Sequence, residues 1–293
     1  MPDRGQARGF VQVDVFTRSP LRGNPVAVVL DAAGIEADEM QRLAGWTNLS
    51  ETVFVLPPTQ AGADYRIRIF TPAHELPFAG HPTIGAAHAV LEAGIVPGDT
   101  THLTQECGAG LLALRTEGAP PGRRIFVRTP QAQIRREWPV DVDALARALG
   151  APVITDPPPL VIDVGPVWLV ARVPEERTLR ALAPDMSALA ALSRRGGVTL
   201  FAFGSVTGAD VTVRSFAPAG GINEDPVCGS GNATVAAYLA TTGLLARVGE
   251  VYRASQGRER GRDGEVLVRV AGGGREIEIG GSAVTVVEGR LQL

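Results

Sequence analysis

Five side chains in this sequence have the chemistry to move or hold a proton: Glu51, His81, Asp225, Cys228 and Ser230. Glu51 precedes the stretch TVFVLPP, which places its carboxyl at the mouth of a β-branched, proline-stopped strand. An apolar neighbourhood there raises a carboxyl pKa toward neutrality, which suits a group that must both take and return a proton. Asn48-x-x-Glu51 also matches a capping box, but a box of that kind should open a helix, and strand formers follow instead. His81 lies between Gly80 and Pro82, at a helix start whose positive end disfavours the charged imidazole. Taken alone, a histidine such as His81 is usually structural. Asp225 in Asn-Glu-Asp-Pro is also a routine turn residue, and Ser230 is equally an N-cap. Cys228 would carry a lowered thiol pKa if it were exposed beside a helix N-terminus.

Their setting raises these residues above such readings, because one motif occurs twice. Residues 66–95 and 210–244 each run from an alternating β-branched stretch into Phe-x-Pro-Ala, then a polar loop, a small-residue turn and an Ala-rich helix. The turns are Ala79-Gly80-His81-Pro82 and Cys228-Gly229-Ser230-Gly231. From Gly80 and Gly229 to the stopping glycines Gly94 and Gly243 the register is a constant 149 residues, and three extra loop residues in the second copy precede the turn. Pro fits a first helical turn and Gly allows close approach of a ligand to the backbone. Gly80, Pro82, Gly229 and Gly231 therefore read as the starts of two helices whose unpaired N–H groups suit a carboxylate. Either turn alone would pass as the cap of a core helix.

The elements that position these turns alternate along the chain. Strands are expected at 10–17, 26–30, 52–56 and 65–70, with helices at 36–46 and 82–93, then strands near 101–104, 111–115 and 124–128. The second half offers a helix at 141–149, a strand at 161–172, a helix at 176–193 and strands at 199–203 and 210–216. A helix at 231–242 and strands near 265–270, 275–279 and 283–287 follow. Many short strands around one Ala-rich helix per half predict an α+β chain of two related domains, each a curved or barrel-like sheet wrapped on its helix. The domains are expected at 1–120 and 121–280, with GAPPGRR at 118–124 as linker, and the final strand, 281–293, can belong to the first.

Composition narrows the function. The chain has 293 residues, 45% of them hydrophobic, and a net charge of −3 with no basic run, so nothing recruits nucleic acid or an anionic membrane. The N-terminal MPDRGQARGF has no apolar leader and no stretch is long enough to span a membrane, which points to the cytoplasm. All 28 basic residues are arginine. Without a lysine there can be no pyridoxal phosphate Schiff base and no P-loop, and no GxGxxG opens a βαβ unit. The four histidines and two cysteines fall at no metal-ligand spacing, and Cys107 reads as buried filler. The expected chemistry uses side chains, without cofactor or metal.

The stretches VDVFTRSPLRGNPVAVVL, NLSETVFV, RIFTPAHELPFAGHPTIGAAH and NEDPVCGSGN, in order along the whole chain, resemble the PhzF-like phenazine biosynthesis family, within the diaminopimelate epimerase-like fold. The resemblance implies two similar domains with the active site in the cleft between them, and a homodimer. It implies Glu51 as proton shuttle, with His81, Asp225 and Ser230 as its polar partners. The activity best known for the family isomerises trans-2,3-dihydro-3-hydroxyanthranilate without a cofactor. By analogy Glu51 takes a proton from one ring carbon and returns it to another, His81 and Asp225 orient the amino and hydroxyl groups, and the helix ends hold the carboxylate. One departure is that CGSGN, with Cys228 and Asn232, is closer to the CGTG turn of diaminopimelate epimerases than to the TGS usual for the isomerase.

The leading expectation is a cofactor-independent isomerase acting on a small amino or hydroxy carboxylic acid. An epimerase or racemase using Glu51 and Cys228 on opposite faces is the enzymatic alternative, although the first copy offers Ala79 where a two-thiol mechanism wants a second cysteine. A binding or scaffold protein of the same fold is the non-enzymatic one.

Overall fold

In the computed structural model, residues 6–193 and 196–293 are described. Residues 1–5, part of the stretch read for a leader, lie outside them. Strands β1 (Ala7–Val15) and β2 (Asn24–Val29) lead to helix α1 (Ala37–Thr47), then β3 (Thr52–Leu56), β4 (Tyr65–Phe70) and the short β5 (Glu75–Leu76). Helix α2 (Gly80–Glu92), β6 (His102–Cys107), β7 (Gly110–Glu117) and β8 (Arg124–Arg128) follow. Then come β9 (Gln133–Ile134), α3 (Val142–Leu149), β10 (Leu160–Asp163), β11 (Val167–Arg172), α4 (Glu176–Ala181) and α5 (Met186–Leu192). The chain continues through β12 (Gly197–Phe203), β13 (Val211–Ala217), β14 (Ile222–Asp225) and α6 (Gly229–Thr241). It ends with β15 (Val251–Gln256), β16 (Gly264–Ala271), β17 (Glu276–Gly281) and β18 (Ala283–Gln292). Two compact units result, one of residues 1–127 with 280–293 and one of residues 128–279.

The first unit takes β18 antiparallel onto β1, which also pairs antiparallel with β2. From there β2 runs parallel to β3, β3 antiparallel to β4, β4 parallel to β6, and β6 antiparallel to β7. The second unit repeats these directions: β10 antiparallel to β11, β11 parallel to β12, β12 antiparallel to β13, β13 parallel to β15, and β15 antiparallel to β16. The motif duplicated in the sequence is thus the visible part of a duplicated topology.

Each unit is built on its Ala-rich helix. Ten of the 13 residues of α2 and ten of the 13 of α6 are buried, as expected of a helix enclosed on all sides rather than lying on a surface. Helix α2 packs on β1, β2, β3 and β18, and α6 on β10, β11, β12 and β16. Small residues permit that approach: a Cβ on Gly85 would lie 2.4 Å from Val26 Cγ1, and one on Gly231 2.4 Å from Ser215 Oγ. Fully buried Ile84, Val90, Val235 and Leu239 fill the remaining space, each contributing about 1.5–3 kcal/mol of apolar burial. Both helices span 13 residues and are followed by a left-handed glycine, Gly94 or Gly243, keeping the 149-residue register in three dimensions. Peripheral helices are amphipathic: α1 lays Met40, Leu43 and Ala44 on Phe54 and Phe70, while Leu145, Leu179 and Leu189 of α3, α4 and α5 cover Leu169, Val198 and Leu200.

Several expectations are corrected. The stretch 161–172 is two strands, because Gly165 adopts φ 99° and Pro166 follows it. The helix expected over 176–193 is two: Leu182 is extended, Pro184 disfavours helix at Ala183, and Asp185 caps α5 by accepting from Ser187 N and Ala188 N. GAPPGRR is not a linker but the turn of the β7–β8 hairpin, and the division into units falls after Val127. Strand β15 escaped the reading because its hydropathy does not follow its burial: apolar Val251 is exposed, while polar Ser255 and Gln256 are buried. Among the described residues no helix is long and apolar enough to cross a membrane.

Candidate active site

Glu51 stands where α1 gives way to β3. Helix α1 ends in Asn48, left-handed at φ 52°, so Asn48 closes a helix and the capping-box spacing to Glu51 is incidental. The turn is held by Thr47 Oγ1, 2.8 Å from Thr52 Oγ1 across Glu51. Glu51 Oε2 lies 3.4 Å from His81 Nε2, the two side chains being 13% and 7% exposed. His81 is the second residue of α2, so the start of the central helix presents its imidazole to the carboxyl. Burial pushes the Glu51 pKa from 4.5 up to about 7, against the opposing hydrogen bond from the Ser50 hydroxyl. A carboxyl balanced between its two forms at neutral pH can serve as base and then as acid on one substrate. Gly80 and Pro82 flank His81 in the first turn of α2, where N–H groups lack intrahelical acceptors.

The second turn is built on the same plan from different side chains. Asp225 closes β14, and its Oδ1 accepts a 3.0 Å hydrogen bond from Val227 N. Ser230 is the second residue of α6, matching His81, and is not its N-cap as the sequence had allowed. The cap is Cys228, whose Sγ accepts from Gly231 N at 3.3 Å. Cys228 is only 3% exposed, and burial, then the neighbouring Asp225 carboxylate, push its thiol pKa well above the usual 9. The lowered pKa that exposure at a helix start would have brought is therefore absent, which counts against a thiolate on the second face of a substrate. Gly229 opens α6, while Gly231 serves close packing on β12 and β13: its Cβ would lie 2.8 Å from Thr199 Oγ1.

Three residues that support the second turn escaped sequence reading. Gln256, buried at the end of β15, accepts from Cys228 N at 3.1 Å and Asn232 Nδ2 at 2.9 Å, and donates to Asp225 O at 3.0 Å. It thereby ties both sides of the turn to one side chain. Arg214 forks onto Glu224 at 2.8 and 3.0 Å, and its remaining arm donates to the carbonyls of Leu179 and Leu182. The pair sits next to Asp225 in sequence and is almost wholly buried. Arg68 and Glu75 form the counterpart staple in the first unit, with both bonds at 2.7 Å but open to solvent. Trp168, the third, donates from Nε1 to Ser230 Oγ at 3.1 Å. The signal for the staples was present in the repeat, since Arg68 and Arg214 stand two residues before the Phe of each Phe-x-Pro-Ala. Among the described residues no group of three His, Cys, Asp or Glu side chains is arranged to hold a metal ion.

Known proteins similar to this chain match it over nearly its whole length. The family model PhzC-PhzF, described as phenazine biosynthesis-like protein, matches residues 13–289. A Schizosaccharomyces pombe protein named antisense-enhancing sequence 1 is 38% identical over 291 residues, covering 96% of this chain and 97% of its own length. The trans-2,3-dihydro-3-hydroxyanthranilate isomerase of Pseudomonas chlororaphis is 35% identical, covering 97% of this chain and 99% of its own. Among solved structures, the PhzF-family phenazine biosynthesis protein of Bacillus anthracis superposes with a TM-score of 0.88 at 26% identity, covering 98% of this chain and all of that one.

Proposed function

The chain belongs to the PhzC-PhzF family and is an isomerase, and from that premise we propose that it moves a proton between two carbons of a small amino or hydroxy carboxylic acid, using Glu51 as base and acid. The observation that carries this reading is the burial of Glu51 beside His81, with a carboxyl pKa of about 7. A substrate like trans-2,3-dihydro-3-hydroxyanthranilate, the compound named for the Pseudomonas chlororaphis relative, supplies a carboxylate for the helix-start N–H groups and amino and hydroxyl groups for His81, Asp225 and Ser230. Glu51 takes the proton from one ring carbon, charge delocalises into the conjugated acid, and the same carboxyl returns the proton to another carbon. Positioned proton transfer of this kind is worth about 10²–10⁴ in rate. The chemistry needs no organic cofactor, in keeping with a chain that has no lysine for a Schiff base. Cytoplasmic residence and a homodimer belong to the same proposal, the latter measurable by light scattering.

The test is solvent deuterium incorporation. Wild type and Glu51→Gln are incubated in D₂O with small amino and hydroxy acids, dihydrohydroxyanthranilate among them, and substrate and product are read by mass and by chromatography. Label or isomerised product with wild type alone supports the reading. Equal turnover by Glu51→Gln would overturn the role of Glu51.

A further inference from the structure

The two units can be matched strand for strand, and the match shows what the second has in place of Glu51. Thr52 pairs with Phe70 in the first unit and Val198 with Phe216 in the second, each Phe opening a Phe-x-Pro-Ala. One residue earlier, Glu51 corresponds to Gly197. His81 and Ser230 correspond through the 149-residue register. The Gly197 site is filled from the neighbouring strand: Trp168 pairs with Gly197 across the parallel β11–β12 ladder, and a Cβ on Gly197 would lie 2.1 Å from Trp168 Cζ3. Glycine is needed there because the indole lies over its Cα. The ring edge that results, only 6% exposed, delivers Nε1 to Ser230 Oγ at 3.1 Å. A carboxyl and an imidazole in one unit are replaced by an indole and a hydroxyl in the other.

We infer that Trp168 is the positioning residue of Ser230: its indole N–H holds the serine oxygen as an acceptor, so that the hydroxyl proton is offered to an acceptor atom of the substrate. The inference rests on the assignment of Ser230 as a substrate partner. Its physical content is that an indole only donates. Ser230 cannot donate back to Trp168, and its single O–H is left for other acceptors. Cys228 Sγ also lies 3.5 Å from Ser230 Oγ, at the long limit for a sulfur contact in which either atom can donate, and it accepts from Gly231 N at the shorter 3.3 Å. Asp225 and Ser230 then play complementary parts, a carboxylate that accepts and a hydroxyl that donates, so an amine and an oxygen of one substrate can be told apart.

Two measurements test this. In ¹⁵N-labelled protein the Trp168 Nε1–H resonance is assigned by its disappearance in Trp168→Phe, and Ser230→Ala should shift it, because its acceptor is gone. An unmoved resonance overturns the proposal whatever the enzyme's activity. In the isomerisation assay Trp168→Phe, which keeps a ring over Gly197, should lower kcat/KM about 3- to 10-fold, the range of one neutral hydrogen bond. In a Ser230→Ala background the same change should cost less than about two-fold, since coupled residues are not additive. Equal losses in both backgrounds would make Trp168 a packing wedge and overturn the proposal. Glu51→Gln serves as the separate control: turnover by that variant would sink the isomerase reading of Glu51 while the Trp168 resonance still reported on Ser230.

Discussion

Glu51 Oε2 approaches His81 Nε2 to 3.4 Å although nearly 30 residues separate them in sequence, and both are nearly out of solvent. The contact exists because a left-handed Asn48 ends one helix just before β3, while Gly80 begins another whose second residue is His81. The distance is longer than a good hydrogen bond, as is common before a substrate tightens a site. The buried carboxyl is held near the point of half-ionisation by desolvation, which makes it costly to the fold and useful to proton transfer.

That cost has a sign. The Glu51 pKa in the folded protein, about 7, lies above its usual 4.5, so the folded state holds the proton more tightly and stability falls as pH rises from about 4.5 to about 7. At about 1.4 kcal/mol per pH unit the penalty above pH 7 is on the order of 3 kcal/mol. Glu51→Gln should therefore be more stable than wild type at pH 8 by up to roughly that amount, with the gap narrowing toward pH 5. Urea unfolding at the two pH values measures it, and a pH-independent gap would contradict the assignment.

The rate should carry the same signature with the opposite slope. If the ionised carboxyl begins the reaction, kcat/KM rises with pH through a midpoint near 7, the pKa of the free enzyme's base. A profile flat from about pH 5.5 to 8.5 would place the first proton elsewhere.

Cys228 is a structural cap. Cys228→Ser keeps an acceptor for Gly231 N, so activity should remain within about three-fold of wild type. The buried, un-ionised thiol should react with iodoacetamide at least about ten times more slowly in folded protein than in urea. Rapid inactivation matched by loss of activity in Cys228→Ser would revive the epimerase reading.

The two Arg–Glu staples should differ in strength. Arg214→Met leaves the buried Glu224 uncompensated and should cost about 3–5 kcal/mol, whereas Arg68→Met on the solvent-open pair should cost less than about 1 kcal/mol. Arg214→Met with Glu224→Leu should recover part of the loss, and chemical unfolding of the three variants against wild type reads each change.

The duplication was legible because it is local: a Phe-x-Pro-Ala, a glycine turn and an Ala-rich helix recur in unbroken order, and both helices form at the repeated register. Glu51 was legible through the strand that follows it, since residues 52–56 tolerate no helix in which a capping box would act. What could not be read was anything made by pairing distant strands. Trp168 meets Gly197 only through a parallel ladder, and Gln256 reaches Cys228 only because β15 lies along β13. The burial that turns Cys228 from a reactive thiol into a cap is likewise a product of the fold.

One repeated contact sets where such a scaffold is open to change. In each unit a strand-end glycine rides on the proline that precedes the helix start: a Cβ on Gly108 would lie 2.8 Å from Pro77 Cα, and one on Gly257 2.3 Å from Pro226 O. Neither glycine admits a side chain, and neither proline can retreat without moving a central helix. Only two residues lie between each of these prolines and its helix, Phe78 and Ala79 in one turn, Val227 and Cys228 in the other, and the second pair is itself buried and hydrogen-bonded. A side chain added at either glycine would therefore be felt at the start of a central helix, where His81 stands in one unit and Ser230 in the other.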